Sequence, residues 1–293
     1  MDIKQLRYFE AVAKHLSFSR AAEHLHIAQP ALSMSIKKLE QQLALTLFHR
    51  SDRKISLTDE GNELLRHARV ILRNMADAEH AMQQLRGIQR GVVRVGIPSM
   101  LGSYHFPPIL MAFKHRYPEL DLEVIEGGTW QIQQQLERGE LDLGVIVAEL
   151  VPDSLCATVF LQQEVMVTVS REHPLAAQQQ VTAKQFFEQE LVMFKEGYFH
   201  RKVVDRLANQ TGATPKISFE TNLVPLIKSI VKQGFGISTL LGMAVDDDQD
   251  LVALPFAEPV ILDLSLAWSR DRHLSVANQT FLDFVLEHSC ANK

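Results

Sequence analysis

Apolar residues near the amino terminus recur every three or four positions, which predicts a helix with one core-facing side. This stripe consists of Leu6, Phe9, Val12, Ala13 and Leu16. A second short helix is expected over residues 20–25, with Ser17 or Ser19 as its N-terminal cap. Its small Ala21 and Ala22 allow a neighbouring helix to cross closely.

A tight turn at residues 26–28 leads to a third helix, in which Pro30 suits the first turn because it has no N–H to donate. Leu32, Ile36 and Leu39 give its buried face, and the opposite face carries Gln29, Ser33, Met34 and Lys37. Two short helices with a polar outer face on the second predict a helix-turn-helix.

The outer face of this third helix has the chemistry to read DNA bases. The major groove admits one helix; Gln pairs bidentately with adenine, and a Ser hydroxyl donates or accepts. Gln29 is also a poor N-cap, which is easier to understand if its side chain is needed elsewhere. An ordinary solvated helix face is the alternative.

Two short extended segments flank Ser51 and Asp52 and predict a β-hairpin, the wing, with Arg50, Arg53 and Lys54 at or near its tip. Such a tip can enter a minor groove or bind phosphate. An ordinary basic turn is the alternative.

The stretch after the wing predicts one long helix, capped by Thr58 and ending near Leu85. Its apolar positions alternate in steps of four and three, the spacing of a coiled-coil seam of about three heptads. The predicted seam consists of Leu64, Ala68, Ile71, Met75, Ala78, Met82 and Leu85. So narrow a stripe favours a partner helix from a second copy; packing against its own domain is the alternative.

From residue 91 onward strand-like and helix-like segments alternate, which predicts a parallel α/β sheet. Strands are expected over 91–97, 120–125, 141–147, 164–170, 217–220, 235–240 and 260–268. Helices are expected over 102–116, 130–138, 200–210, 223–233 and 276–288.

Sheets of this kind bind ligands at the carboxyl ends of their strands. Those ends carry Ser99 with Met100, Gly128 with Thr129, and Asn222. Thr129 can cap the following helix and still face the crevice. Because helix N-termini favour anions, a small carboxylate is the expected effector, with plain helix capping as the alternative.

Charge is unevenly distributed along the chain. Residues 1–90 contain 14 Lys and Arg against 10 Asp and Glu, whereas residues 91–293 contain 16 against 25. A weakly basic N-terminal part on an acidic remainder suits a protein that docks only its N-terminal part on a polyphosphate.

Several classes of protein are disfavoured. The N-terminus lacks the apolar region of a secretory signal, and no apolar run approaches the ~18 residues of a membrane span, so a cytoplasmic protein without membrane association is expected. Only Cys156 and Cys290 are present, which argues against a disulfide framework or a structural zinc site. No hydrolase, metalloprotease or nucleotide-binding motif is found, so neither an enzyme nor a cofactor or metal is expected.

Linked segments of the first sixty-five residues resemble the N-terminal pattern of LysR-type transcriptional regulators. These segments are residues 17–22, 29–33, 39–40, 47–50 and 57–61. The resemblance implies that Gln29, Pro30, Ser33 and Arg53 contact DNA and that the long helix pairs two subunits. One departure is Met34, where many members carry Arg; Met offers only an apolar contact, for example to a thymine methyl.

The rest of the chain is similar to the effector domain of that family, which resembles two-lobed periplasmic binding proteins. This implies crossings between lobes near residues 161–164 and 265–268, with the ligand between them. Positions matching Ser99, Met100, Thr129 and the segment Tyr198–Arg201, which includes Phe199 and His200, line the cleft in relatives.

The expected fold is therefore multidomain, mixing α+β and α/β parts. A winged helix-turn-helix covers residues 1–58, a long linker helix 59–88 and a two-lobed α/β effector domain 91–293. Lobe I is expected over about 91–161 plus 268–293, and lobe II over about 162–267.

The predicted function is sequence-specific binding of double-stranded DNA by a homodimer or homotetramer, modulated by a small anion. RNA polymerase is an additional candidate partner. A DNA-binding dimer without an effector is the alternative. A solute-binding protein would explain only the acidic part.

Overall fold

The computed structural model describes residues 1–51, 54–84 and 91–290. The chain divides into two compact units, residues 1–88 (the head) and residues 89–293 (the body). Across the described ranges, no helix combines the length and the apolar composition that crossing a bilayer requires.

The head joins four helices and a β-hairpin within its described residues. In chain order these are α1 (Ile3–His15), α2 (Phe18–His24), α3 (Gln29–Leu43), β1 (Phe48–Ser51), β2 (Lys54–Leu57) and α4 (Asp59–Gln84). A capping box begins α1, because Asp2 accepts from the Gln5 N–H at 2.8 Å and Gln5 accepts from the Asp2 N–H at 2.9 Å. Of the two predicted caps of α2, the structure uses Ser17.

One face of α3 is locked into the core of the head. Leu32, Ile36 and Leu39 are fully buried, which confirms the predicted inner face. The start of α3 differs from the prediction, since Ala28 is the N-cap and Gln29 is the first helical residue. The poor capping ability of Gln29 therefore carries no information about its function.

The wing and α4 are held against the end of α3 by polar groups that are buried or half-buried. Glu40 accepts from the Leu47 N–H at 2.9 Å, and the Thr58 hydroxyl donates to the Thr46 carbonyl at 2.7 Å. Thr58 also caps α4 by accepting from the Gly61 N–H at 2.9 Å, as predicted. A Cβ at Gly61 would collide with the Leu47 carbonyl, so this close approach requires glycine.

The first half of α4 belongs to the core of its own head. Ala68 is fully buried in the same cluster as the inner face of α3, and Leu64 packs against that cluster. Ala68 is therefore not available to a partner subunit, because one chain alone covers it completely. The predicted seam is exposed to solvent farther along α4, at Ile71, Ala78 and Met82.

The described body is built of strands and helices that alternate irregularly. Its first half contains β3 (Gly91–Ile97), α5 (Ser99–Tyr104), α6 (Phe106–Arg116), β4 (Leu120–Glu126), α7 (Thr129–Glu137), β5 (Leu143–Val147) and β6 (Leu155–Ser170). Its second half contains α8 (Ala183–Phe187), β7 (Glu190–Met193), α9 (Phe199–Thr211), β8 (Lys216–Glu220), α10 (Val224–Lys232), β9 (Ser238–Leu241), β10 (Leu251–Pro255), β11 (Ile261–Ser269) and α11 (Val276–Cys290).

Two lobes share the long strand β6. Its first part, residues 155–164, pairs antiparallel with β11, which joins the parallel strands β5, β3 and β4 in lobe I. Its second part, residues 165–170, pairs with β9 and β10 in lobe II, where β7 and β8 form a second small sheet. The core of the body is continuous through both lobes.

The sheet differs from the predicted parallel arrangement. β6, β9, β10 and β11 all pair antiparallel, and the short elements α8, β7 and β10 were not predicted. β6 changes from lobe I to lobe II partners after Glu164, next to the predicted first crossing at 161–164, whereas the return crossing was predicted at 265–268. Residues 264–267 already pair with β5 of lobe I.

We expect Ala68→Glu to unfold the head, because a carboxylate at a fully buried position costs about 3 kcal/mol or more. Hydrogen exchange of the full chain should show lost protection in peptides from α1 and α3, with peptides from the body unchanged.

Ala76→Glu is the matched control, since Ala76 is an exposed residue of the same helix. Equal protection in both variants would contradict the burial of Ala68 and return it to a subunit seam.

Candidate nucleic-acid interface and effector cleft

The outer face of α3 is presented to solvent at the N-terminal end of the helix. Gln29, Pro30 and Lys37 are exposed, Met34 is 72% exposed and Ser33 is half-buried. The structure brings all five predicted residues of α3 onto one accessible surface. A helix held by three buried side chains on its other face cannot rotate this surface away.

The wing is anchored to the head at its base. Phe48 is buried, and its ring lies 5.3 Å from that of Phe9 between centroids. Phe48 pairs with Leu57 and Ser51 with Lys54 in the antiparallel pair of strands. Arg53 lies outside the described residues, as do the side chains of Arg50 and Lys54.

The exposed part of α4 forms an apolar stripe on the head. Ile71 is 36% and Met82 is 59% exposed, with half-buried Met75 and exposed Ala78 between them along the helix. We call Ile71, Met75, Ala78 and Met82 the α4 stripe. The predicted Leu85 lies outside the described residues.

A cavity of about 180 Å³ lies between the two lobes of the body. From lobe I it is lined by Thr129, Trp130, Gln133, Val147 and Glu149, and from lobe II by Phe199, Lys202, Val203 and Arg206. Two helices thus face each other across it, α7 and α9, each with its first residue at the wall. Of the predicted effector residues, Thr129 and Phe199 line this cavity.

Comparison with known proteins agrees with this division of the chain. Residues 3–62 match the model of the bacterial regulatory helix-turn-helix protein, lysR family, and residues 86–290 match the LysR substrate binding domain. The chain belongs to the LysR family. It is a LysR-type transcriptional regulator with a DNA-binding and an effector-binding domain.

Relatives of this regulator match it along nearly its whole length. The uncharacterized HTH-type transcriptional regulator YcgK of Bacillus subtilis is 31% identical, over 98% of this chain and 94% of the relative. Full-length CbnR, solved in complex with its target DNA, superposes with a TM-score of 0.73 at 20% identity and covers 100% of both chains. The CcmR regulatory domain of Synechocystis PCC6803, solved with 2-PG, gives a TM-score of 0.64 at 24% identity over 68% of this chain and 98% of its own.

Three predicted effector residues of the LysR-type regulator make contacts between its lobes. The Met100 sulfur accepts from the Leu241 N–H at 3.4 Å. Ser99 is hydrogen-bonded to the Tyr198 hydroxyl. A Cβ at Gly128 would lie 2.5 Å from the Gly197 carbonyl oxygen, so the lobes touch there and only glycine fits.

Tyr198 therefore occupies the crevice beside Ser99. Burial raises the pKa of the Tyr198 phenol and the nearby Glu126 carboxylate adds to that effect, while the hydrogen bond with Ser99 opposes it. The Tyr198 phenol is therefore protonated at neutral pH. Thr129 also differs from the prediction, because Gly128 is the N-cap of α7 and Thr129 is its first residue.

The remaining predicted effector residues are engaged within lobe II. Arg201 pairs with Asp205 at 2.9 Å and with Glu220. The Asn222 amide oxygen accepts from the Lys195 N–H at 2.9 Å. Neither residue lines the cavity as the structure describes it, which corrects the expectation that they would face the ligand.

His200 points into the interior of lobe II rather than into the cleft. It is 1% exposed and stacks on Phe194 with 4.6 Å between ring centroids. Burial lowers the pKa of His200 to about 3, so the ring is neutral. Both ring nitrogens are buried with no hydrogen-bond partner among the described residues.

Cavity residues that the sequence prediction missed lie one or two helical turns after the predicted ones. Lys202 and Arg206 follow Phe199 on one face of α9, and Gln133 follows Thr129 on α7. Helical spacing from Phe199 and Thr129 would have found all three. Trp130 and Glu149 carried no signal of this kind.

The neutral His200 makes the stability of the body depend on pH. Its folded pKa is depressed below the unfolded value near 6.5, so unfolding takes up a proton below that pH. Stability that is complete above pH 6.5 should fall by up to about 1.4 kcal/mol per pH unit as the pH drops towards the folded value.

We expect His200→Phe to remove this loss, which should reach roughly 2 kcal/mol at pH 5 in the wild type. Urea unfolding followed by tryptophan fluorescence reports the body selectively, because both tryptophans, Trp130 and Trp268, lie there. His115→Phe, at an exposed histidine of lobe I, is the control. Parallel pH profiles for wild type and His200→Phe would refute a buried neutral imidazole.

Proposed function

We propose that this regulator binds a specific duplex sequence as a homo-oligomer and that a small anion held between its lobes modulates the binding. The observation that carries the first part is the exposed N-terminal face of α3, which three fully buried side chains on the opposite face hold in place. A helix presented in this way has the form that enters a major groove.

Residues at the start of α3 are assigned to the base edges. Gln29 has the donor and acceptor pair that matches adenine, and the Ser33 hydroxyl lies one turn farther on. Pro30 and Met34 add apolar contacts, and Lys37 lies closer to the phosphates. Arg50, Arg53 and Lys54 of the wing are assigned to the backbone or the minor groove.

Two heads are assigned to two half-sites, joined through the α4 stripe. A single head makes few base contacts, each worth about 1–3 kcal/mol, whereas linked heads gain affinity without new contacts. An apolar stripe left open on the part of a helix that its own core does not cover is well suited to a second copy of itself. This arrangement makes the spacing of the heads a quantity that an effector can change.

The effector is assigned to the inter-lobe cavity. Lys202 and Arg206 supply two cations to its wall against the single carboxylate of Glu149. The CcmR complex with 2-PG supports a small molecule in this domain. Such a regulator acts on chromosomal DNA in the cytoplasm, with no catalytic step of its own and with RNA polymerase as a further partner.

The preference for a specific base sequence should fall when the side chains assigned to the base edges are truncated. Binding sites selected from genomic fragments by the wild-type protein provide the probe. Gln29→Ala and Ser33→Ala should each lower the preference for that site over random duplex by about tenfold, as expected for one lost base contact.

Gln42→Ala, at the exposed C-terminal end of the same helix, should leave the preference unchanged. Unaltered preference in both α3 variants would remove Gln29 and Ser33 from the interface.

Arg53→Ala should weaken the binding of all duplex sequences alike and reduce the slope of log affinity against log salt concentration by about one unit.

Subunit pairing should be lost when charge enters the α4 stripe. Ala78→Glu with Met82→Glu places carboxylates in an apolar contact, so the dissociation constant should rise by about a hundredfold or more in light scattering. Ala76→Glu makes the same chemical change on the other side of the helix and should leave the oligomer intact. A double variant that stays as oligomeric as the wild type would locate the subunit contact elsewhere.

A further inference from the structure

One ion pair bridges the two lobes at the wall of the cavity. Nη1 of Arg206 lies 3.1 Å from both carboxylate oxygens of Glu149. Arg206 belongs to α9 of lobe II, and Glu149 to the short turn that follows β5 of lobe I. Both side chains are about half exposed, so solvent reaches the pair and a solute can compete for it.

Other groups at the cavity offer donors that remain free. Lys202 lies one turn before Arg206 and makes no ion pair among the described residues. Thr129 is 7% exposed and lines the cavity, and its hydroxyl has no hydrogen-bond partner among the described residues. Among the described residues that line the cavity, Glu149 is the one carboxylate, and it is already paired with Arg206.

An apolar surface lies beside these donors. Trp130 is 49% exposed and shares the wall with Phe199, Val147 and Val203. At about 30 Å³ per water, a volume of about 180 Å³ holds roughly six waters. The cavity therefore fits a small molecule of about the volume of six waters, one that is apolar on one side and anionic on the other.

We propose that the cavity binds a small carboxylate with a flat apolar body, and that the ligand carboxylate replaces Glu149 on Arg206. The body of the ligand lies against Trp130, while Lys202 and Thr129 donate to its carboxylate. Glu149 is then an internal competitor that occupies the anion site and ties the lobes together until a ligand displaces it. This inference rests on the proposed role of the cleft as the effector site.

The replacement has a thermodynamic signature that a plain pocket lacks. Ligand binding must break the Glu149–Arg206 pair, so removal of the Glu149 charge should improve binding. An exposed ion pair is weak, and the gain should be about two- to fivefold in affinity. Loss of Arg206 removes the charged donor itself and should weaken binding by about tenfold or more.

Benzoate and its neutral isostere benzamide are the probes, titrated against the full chain. Trp268→Phe as background leaves Trp130 as the one tryptophan, so its fluorescence reports the cavity. Benzoate should bind Glu149→Gln two- to fivefold more tightly than the parent and Arg206→Gln at least tenfold more weakly. Glu137→Gln is the matched control, because Glu137 is an exposed lobe I carboxylate outside the cavity.

Three results would overturn the inference. They are benzamide binding as tightly as benzoate, an unchanged or lower benzoate affinity in Glu149→Gln, and no benzoate binding to Glu149→Gln at millimolar concentrations. The same preparations are then tested for their preferred duplex. If the parent protein prefers a specific duplex but binds no carboxylate, this inference alone is wrong. If the parent protein prefers no duplex over random sequence, the proposed function is wrong.

Discussion

The geometry of the body depends on the strand β6, which both lobes share. Its first ten residues pair with β11 in lobe I and its last six with β9 and β10 in lobe II. The lobes cannot part without bending this strand or breaking its ladder. The β6–β11 register shifts at Leu264 and Ser265, close to the change of lobe, and bulges of this kind locally bend strands. The shared strand thus fixes the two walls of the cavity, α7 in lobe I and α9 in lobe II, to one continuous ladder.

Sequence patterns predicted the head more completely than the body, for a physical reason. Helices α1 and α3 each present one apolar stripe to one core, so periodicity gave their positions and most of their inner faces. It also located α4, but it assigned Leu64 and Ala68 to a subunit seam rather than to the core of the head. Leu16, predicted on the inner face of α1, is exposed. Residues 155–163 of β6 were not predicted as a strand, because exposed and half-buried positions alternate irregularly along them. The antiparallel pairing of β9, β10 and β11 also leaves no local trace, since strand direction depends on connections that close far along the chain.

The candidate effector cavity shows the limit of reasoning from strand ends. Of the residues predicted by that rule or by the family resemblance, Thr129 and Phe199 line the cavity, whereas Ser99, Met100 and Gly128 make contacts between the lobes. The cations of the cavity wall, Lys202 and Arg206, come from α9 and do not lie at the end of a predicted strand. His200 illustrates the converse error, because a polar side chain beside a predicted cleft turned inward onto Phe194. Which face of a short loop turns inward is decided by packing, and the sequence of that loop does not reveal it.

The helix α4 changes its role along its length, and this change gives the head its mechanical unity. Ala68 shares one core with the inner face of α3, so α3 and the first half of α4 move as a single body. The exposed α4 stripe lies on the same continuous helix, beyond the part that the core holds. Under the proposed function, a shift of the α4 stripe against a partner is transmitted directly to the outer face of α3. A charge on the stripe and a charge at Ala68 would then act differently, since the first would separate intact heads and the second would unfold the core that holds α3 in place.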